Sequence, residues 1–145
     1  MVDVTRIDKI TRTDKAAQKA PAYTDFYSNL NIHPQNKQLA KYTNEEAVRR
    51  SVRNLLLTDK YERPFQPQLG TRLRTLLFEN MSPIIEEEMK SAIEETINQY
   101  EPRARIINIA VQSNEARNAY DIYIYFQVIN SINPVSVNIT LYRAR

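Results

Sequence analysis

Glu101-Pro102-Arg103 sets an acid and a base on either side of a residue whose ring fixes the backbone between them. The residues leave two readings open. One is a helix stop whose arginine returns a hydrogen bond to the helix end. The other is a rigid bracket that shows both charges to a partner and loses little ordering entropy on docking. Acid chemistry has candidates as well. Glycoside hydrolysis needs two carboxyl groups flanking a cleft, one with a raised pKa. Glu62, Glu79, Glu101 and Asp121 are eligible, but none sits in a cleft motif, and no tryptophan is present to stack a sugar. Nucleophilic catalysis fares worse. Cysteine is absent, and a Ser–His relay would have to use His33, the one histidine, which precedes Pro34 and reads as loop. A lone histidine without cysteine gives no zinc spacing, and no calcium loop is present. No catalytic residue, metal or cofactor is expected.

The single glycine, Gly70, also excludes a phosphate-cradling loop, which needs several. Net charge is +3, from 20 basic and 17 acidic side chains, which permits an acidic partner without demanding nucleic acid. Tyr123 and Tyr125 share a strand face and could stack bases. Asp121 nearby and the sparse basic residues argue against it, so no nucleic-acid partner is expected. The apolar runs are too short to span a bilayer, and the first residues lack a signal-peptide core. Synthesis in the cytosol without membrane insertion is the expectation.

The elements that must position these residues follow from periodicity. Apolar residues make up 42% and charged residues 26% of 145, ordinary values for one globular domain. Residues 1–22 carry Val2, Val4, Ile7 and Ile10 among mixed charges and read as an extended or disordered arm, with 23–145 as the domain. Residues 23–42 read as a wrapped loop pinned by Tyr23, Phe26, Tyr27 and Leu30, with a short strand around Leu30–Ile32. A helix starts near Asn44, with Thr43 and Glu46 spaced as a capping box and Val48, Val52, Leu55 and Leu56 on one face. Arg49, Arg50 and Arg53 lie elsewhere on that helix, either as a solvated face or, for Arg49 and Arg53, as a site for a partner's carboxylates. Pro64 and Pro67 make Thr58–Leu69 a loop, which Phe65 is expected to anchor. Gly70 is expected to allow a conformation or close approach that a side chain would block. A second helix covers about Thr71–Phe78, with Leu73, Leu76 and Leu77 inward.

Ser82-Pro83 opens a third helix, with Ile85, Met89, Ala92, Ile93, Ile97 and Tyr100 as its stripe and Pro102 as its stop. The period then changes to two. Ile107, Ile109 and Val111 alternate with polar residues. So do Tyr120, Ile122, Ile124, Phe126 and Val128, and then Val135, Val137, Ile139 and Leu141. The fold class is therefore α+β: three helices packed on a C-terminal three-stranded antiparallel sheet, with an N-terminal arm. The last strand is expected at an edge, where unpaired backbone groups can accept a foreign strand. Arg143 and Arg145 would blunt that edge or steer an acidic partner to it.

Glu46–Glu79 (EAVRRSVRNLLLTDKYERPFQPQLGTRLRTLLFE), followed by Glu101-Pro102-Arg103 and a strand-rich end, resembles the baseplate wedge proteins of contractile-tailed bacteriophages, the gene-twenty-five-like sheath initiators. Type VI secretion baseplates carry a relative of that family. The similarity runs from about Phe26 onward. The family's usual turn has a glycine before Glu-Arg, where this chain has Tyr61 before Glu62-Arg63. The resemblance implies a structural subunit of a virion tail baseplate, made in the host cytoplasm, with six copies around the tail. It implies that Glu101, Pro102 and Arg103 dock on a helical core bundle of other wedge proteins. It also implies that the strand carrying Val135, Val137, Ile139, Leu141 and Arg143 offers the tail sheath protein a template for strand exchange, with the tail tube as a further neighbour. A type VI baseplate component is the second reading within this class. The rival from another class is a small lysozyme-like glycoside hydrolase, a label some members bear and which no residue here supports.

Overall fold

The computed structural model describes residues 23–143 apart from Ser28, Asn36 and Asn130. The arm expected at 1–22, and Arg145, lie outside the described residues. A short ribbon, β1 (Thr24–Phe26) and β2 (Lys41–Thr43), pairs antiparallel. Helix α1 (Asn44–Leu57) follows, then a long loop, a single turn of helix α2 (Leu73–Leu76), and α3 (Pro83–Tyr100). Strands β3 (Ala104–Asn114), β4 (Ala119–Val128) and β5 (Pro134–Tyr142) form an antiparallel sheet in the order β3-β4-β5.

The expected faces are the buried ones. Ala47, Val48, Val52, Leu55 and Leu56 line the inner side of α1, and Met89, Ala92, Ile93, Thr96 and Ile97 that of α3. They meet Tyr120, Ile122, Ile124, Phe126 and Val128 on the middle strand, with Val137 and Ile139 beside them. Each such large apolar side chain contributes roughly 1.5–3 kcal/mol relative to exposure. Ser82 caps α3 by accepting from the Ile85 N–H, with Pro83 at the first helical position.

Several local expectations give way. The capping box of α1 does not form: Thr43 is the last residue of β2 and makes no side-chain cap bond, and Glu46 pairs with Arg49 instead. Of the four expected anchors of the first segment, Tyr23 packs against the core, while Tyr27 stacks on Tyr42 at 4.0 Å. Phe26 and Leu30 are exposed, and the strand expected at Leu30–Ile32 is reduced to one bridge from Ile32 to Leu39. A β-bulge between Ile106 and Asn108 shifts the register of β3, so Ile107 faces solvent and Ile109 remains inside.

Phe65 does not anchor its loop; it is fully exposed. The loop is closed by backbone instead. Tyr61 N–H donates to the Pro67 carbonyl at 2.7 Å, Lys60 N–H to Thr71 at 3.1 Å and Thr71 N–H to Thr58 at 2.9 Å. Gly70 sits at φ +126, and a Cβ there would fall 2.5 Å from the Thr58 carbonyl oxygen. The close approach expected of the one glycine is thus what lets this loop fold back on the end of α1.

Candidate functional site

Glu101 is the C-cap of α3, and its N–H still donates to the Ile97 carbonyl. Pro102 then turns the chain, and Ala104 N–H returns to the Glu101 carbonyl at 3.0 Å as β3 begins. This geometry folds Arg103 back on Glu101. Arg103 donates from Nε to Oε1 at 2.5 Å and from Nη2 to Oε2 at 2.7 Å, a two-pronged pair. Ser51 of α1 adds a hydroxyl donor to Oε2. Glu101 is 2% exposed, whereas the Arg103 side chain is 38% exposed. Burial opposes ionisation of Glu101, but the bonds from Arg103 and Ser51 and the nearby cation outweigh it and hold the carboxyl below its ordinary range. Glu101 in turn raises Arg103, against its partial burial. The guanidinium also lies 5.3 Å from the centre of the Tyr23 ring.

Of the two readings of the triplet, the acid is therefore an internal group. It ties α1, α3 and β3 at one point. What reaches solvent is Pro102 and the outer side of Arg103. Ser51 and Tyr23 complete this joint, and neither was predicted to. Tyr23 had a signal as an aromatic in a polar stretch; Ser51, 50 residues before Glu101, had none.

The second candidate is the outer edge of β5. Arg143 N–H donates to the Asn118 carbonyl, which fixes the pairing phase. With the register Ala119↔Tyr142 to Gln127↔Pro134, the peptide groups of Val135, Val137, Ile139 and Leu141 point at β4. Those of Ser136, Asn138, Thr140 and Tyr142 point away from the sheet. The Asn138 carbonyl confirms the phase from outside, since it accepts from Arg53 of α1 at 3.4 Å. The side chains of Val137 and Ile139 are buried and those of Val135 and Leu141 half-buried. Arg143 does not hang free beside the edge: its Nε donates to the Leu77 carbonyl at 2.9 Å.

The carboxylates considered for hydrolysis are dispersed. Glu62 accepts from the Asp59 N–H inside the loop. Asp121 accepts from Thr140 at 2.7 Å across the exposed sheet face. Glu101 is held opposite in sense to a general acid. Among the described residues no cluster of acidic, histidine or cysteine side chains could hold a metal ion. No helix there is long and apolar enough to cross a membrane.

The family described as baseplate wedge protein gp25 matches residues 43–133, which run from the end of β2 almost to the start of β5. The chain belongs to this family. The baseplate wedge protein gp25 of Enterobacteria phage T4 is 34% identical over 68 residues, covering 47% of this chain and 52% of the phage protein. The match thus spans about half the length of that curated relative. Among solved structures, a Geobacter sulfurreducens protein carrying a tail-lysozyme name superposes with a TM-score of 0.67 at 20% identity, covering 72% of this chain and 95% of that one. A chain of the anti-feeding prophage baseplate gives 0.59 at 20% identity, covering 85% and 86%. One from the type VI secretion baseplate gives 0.54 at 14%, covering 66% and 90%. These structural likenesses show a shared fold.

Within this gp25-family fold, Tyr61 carries a backbone cost. Tyr61 stands at φ +70, in the left-handed region where a glycine is at ease and a side chain is strained. Its ring is 81% exposed, so packing does not repay that strain.

Proposed function

We propose that this chain is a non-enzymatic wedge subunit of a contractile tail baseplate that templates the first ring of sheath by adding a foreign strand to β5. Six copies would surround the tail, within reach of its tube, after synthesis in the host cytoplasm. The observation that carries this reading is the outer edge of β5, where the amides of Ser136, Asn138, Thr140 and Tyr142 face away from the sheet. An edge of this kind is a ready template for strand pairing. The side chains of Val135, Val137, Ile139 and Leu141 support the template from inside, and Arg143 holds its end to the helical layer. Pro102 and the exposed side of Arg103 are the docking face toward a helical bundle of other wedge proteins, with Glu101 as the internal brace that orients Arg103.

Asn138→Pro tests the template. Its N–H points outward, so proline leaves the β4 ladder intact while its ring blocks an added strand. Baseplates carrying this variant are expected to assemble but to nucleate no sheath. Particles with full sheaths would exclude strand templating. The docking face is tested with Arg103→Lys, which keeps the charge but loses the two-pronged geometry. Reduced incorporation into wedges is expected, and normal incorporation would count against the docking role. The lysozyme reading is tested by incubating the purified chain with peptidoglycan. No turnover is expected, and cleavage abolished by a single Glu→Gln change would overturn the structural role.

A further inference from the structure

The outer edge of β5 is not bare along its whole length. Helix α1 runs past it, and between them lies a groove of about 450 Å³ lined by Tyr42, Glu46, Arg49, Arg50, Arg53 and Asn138. A second hollow continues it along the strand toward Glu45 and Pro134. The groove has a strand edge for one wall and three guanidinium groups on the other. Arg49 is paired with Glu46. Arg50 lies 4.8 Å from the centre of the Tyr42 ring, and Arg53 donates to the Asn138 carbonyl at a long 3.4 Å. Neither Arg50 nor Arg53 has a carboxylate partner among the described residues.

We infer that this groove seats an extended acidic segment of another polypeptide, whose backbone pairs with β5 and whose carboxylates take Arg50 and Arg53. The inference rests on the strand-addition reading and adds the chemistry of the occupant. An entering strand competes with Arg53 for the Asn138 carbonyl, where the arginine holds only a long 3.4 Å contact. An amide of the entering strand replaces it as donor. The released guanidinium then exchanges a long carbonyl contact for a charge-assisted bond to a carboxylate, which is shorter and stronger. Arg53 thereby favours an acidic strand over a neutral one.

Charge also indicates that the occupant is foreign. Residues 1–22 of this chain carry Arg6, Lys9, Arg12, Lys15 and Lys19 against Asp3, Asp8 and Asp14, and so have the wrong sign for the groove. The end of β5 from a second copy runs into Arg143 and Arg145, also basic.

The test uses the full chain and fluorescein-labelled peptides of about ten residues in which valine alternates with glutamate, glutamine or lysine. Anisotropy titrations at low salt are expected to show the glutamate peptide binding about tenfold more tightly than the glutamine peptide, with the lysine peptide weakest. The gap is expected to narrow as salt is raised. Arg50→Gln combined with Arg53→Gln is expected to close it without weakening the glutamine peptide. Both substitutions are on the groove wall, and circular dichroism checks that the fold is intact. Equal affinity for the glutamate and glutamine peptides overturns the acidic preference and leaves the strand edge standing. Tight binding that survives Asn138→Pro, or binding of neither peptide, overturns strand addition together with it. Tighter binding of a single-stranded oligonucleotide than of the glutamate peptide would assign the arginines to phosphate instead.

Discussion

The joint around Glu101 and the outer edge of β5 lie at opposite extremes of hydrogen-bond satisfaction. At the joint, a buried carboxylate accepts from Ser51 on α1 and from Arg103 in the turn before β3, and the loop after α1 closes through its own backbone. At the edge, alternate peptide groups point outward, and among the described residues one long arginine contact reaches them. A buried polar group left unpaired costs about 1–3 kcal/mol, whereas an exposed one is satisfied by water. The difference separates roles. The closed joint fixes how the helices meet the sheet, and the open edge is where another chain can add at the expense of one long arginine contact.

Gly70→Ala should break the closed side most severely. The new Cβ meets the Thr58 carbonyl oxygen at 2.5 Å and the Asp59 backbone at 2.8 Å, in a conformation that side chains avoid. A loss of about 3 kcal/mol is expected in denaturant unfolding. A loss under about 1 kcal/mol would mean that the loop moves aside freely and is not a closed element.

Glu101→Gln is expected to cost less, about 1.5 kcal/mol, because Arg103 is partly in water and solvent screens the pair. The pH dependence gives this variant a signature. The folded chain holds the Glu101 carboxyl below its ordinary value of 4.5. Its contribution is therefore complete above that value and is lost as pH falls through the lower folded-state pKa. Thermal melts should show parent and variant converging as the buffer is acidified from neutral through the range below 4.5. A constant difference across that range would show that the charge on Glu101 contributes nothing.

Asn138→Pro should sharpen the contrast from the open side. Its outward N–H bonds no other strand among the described residues, so the isolated chain is expected to lose less than about 1 kcal/mol. Ile139→Pro, one residue along, removes a bond to β4 beneath a buried side chain and should cost about 3 kcal/mol. A larger loss for Asn138→Pro than for Ile139→Pro would mean that the pairing phase is assigned the wrong way round.

The sequence made the sheet and its inner face legible because period-two alternation survives in β4 and β5 without interruption. It misplaced Ile107 because a bulge inserts one residue and resets the alternation, and no residue type announces it. Strand alternation put Val135, Val137, Ile139 and Leu141 on one face, and the family resemblance implied that their strand is the template. They are the inward set, and the outward peptide groups belong to the residues between them. Glu101 could be singled out by its proline and arginine neighbours. Its partners come from afar: Ser51 bonds it directly, and Tyr23 lies against Arg103, both distant in sequence. Phe65 was read as an anchor because it is aromatic. The loop around it is held by amides and carbonyls, which every residue carries and no pattern reveals.

The smallest expected effect has the opposite sign to the largest and comes from the same loop. Tyr61 holds φ +70 with its ring 81% exposed, so a side chain bears backbone strain there without packing in return. Tyr61→Gly should remove about 1 kcal/mol of left-handed strain. The added freedom of glycine in the unfolded chain returns about half of that or more. A net gain of up to about 0.5 kcal/mol is expected, read as a small rise in Tm, while Gly70→Ala at the far end of the loop lowers it steeply. If Tyr61→Gly instead destabilised by more than about 1 kcal/mol, the exposed ring would be holding the loop closed, and the assignment of that closure to the backbone would fail.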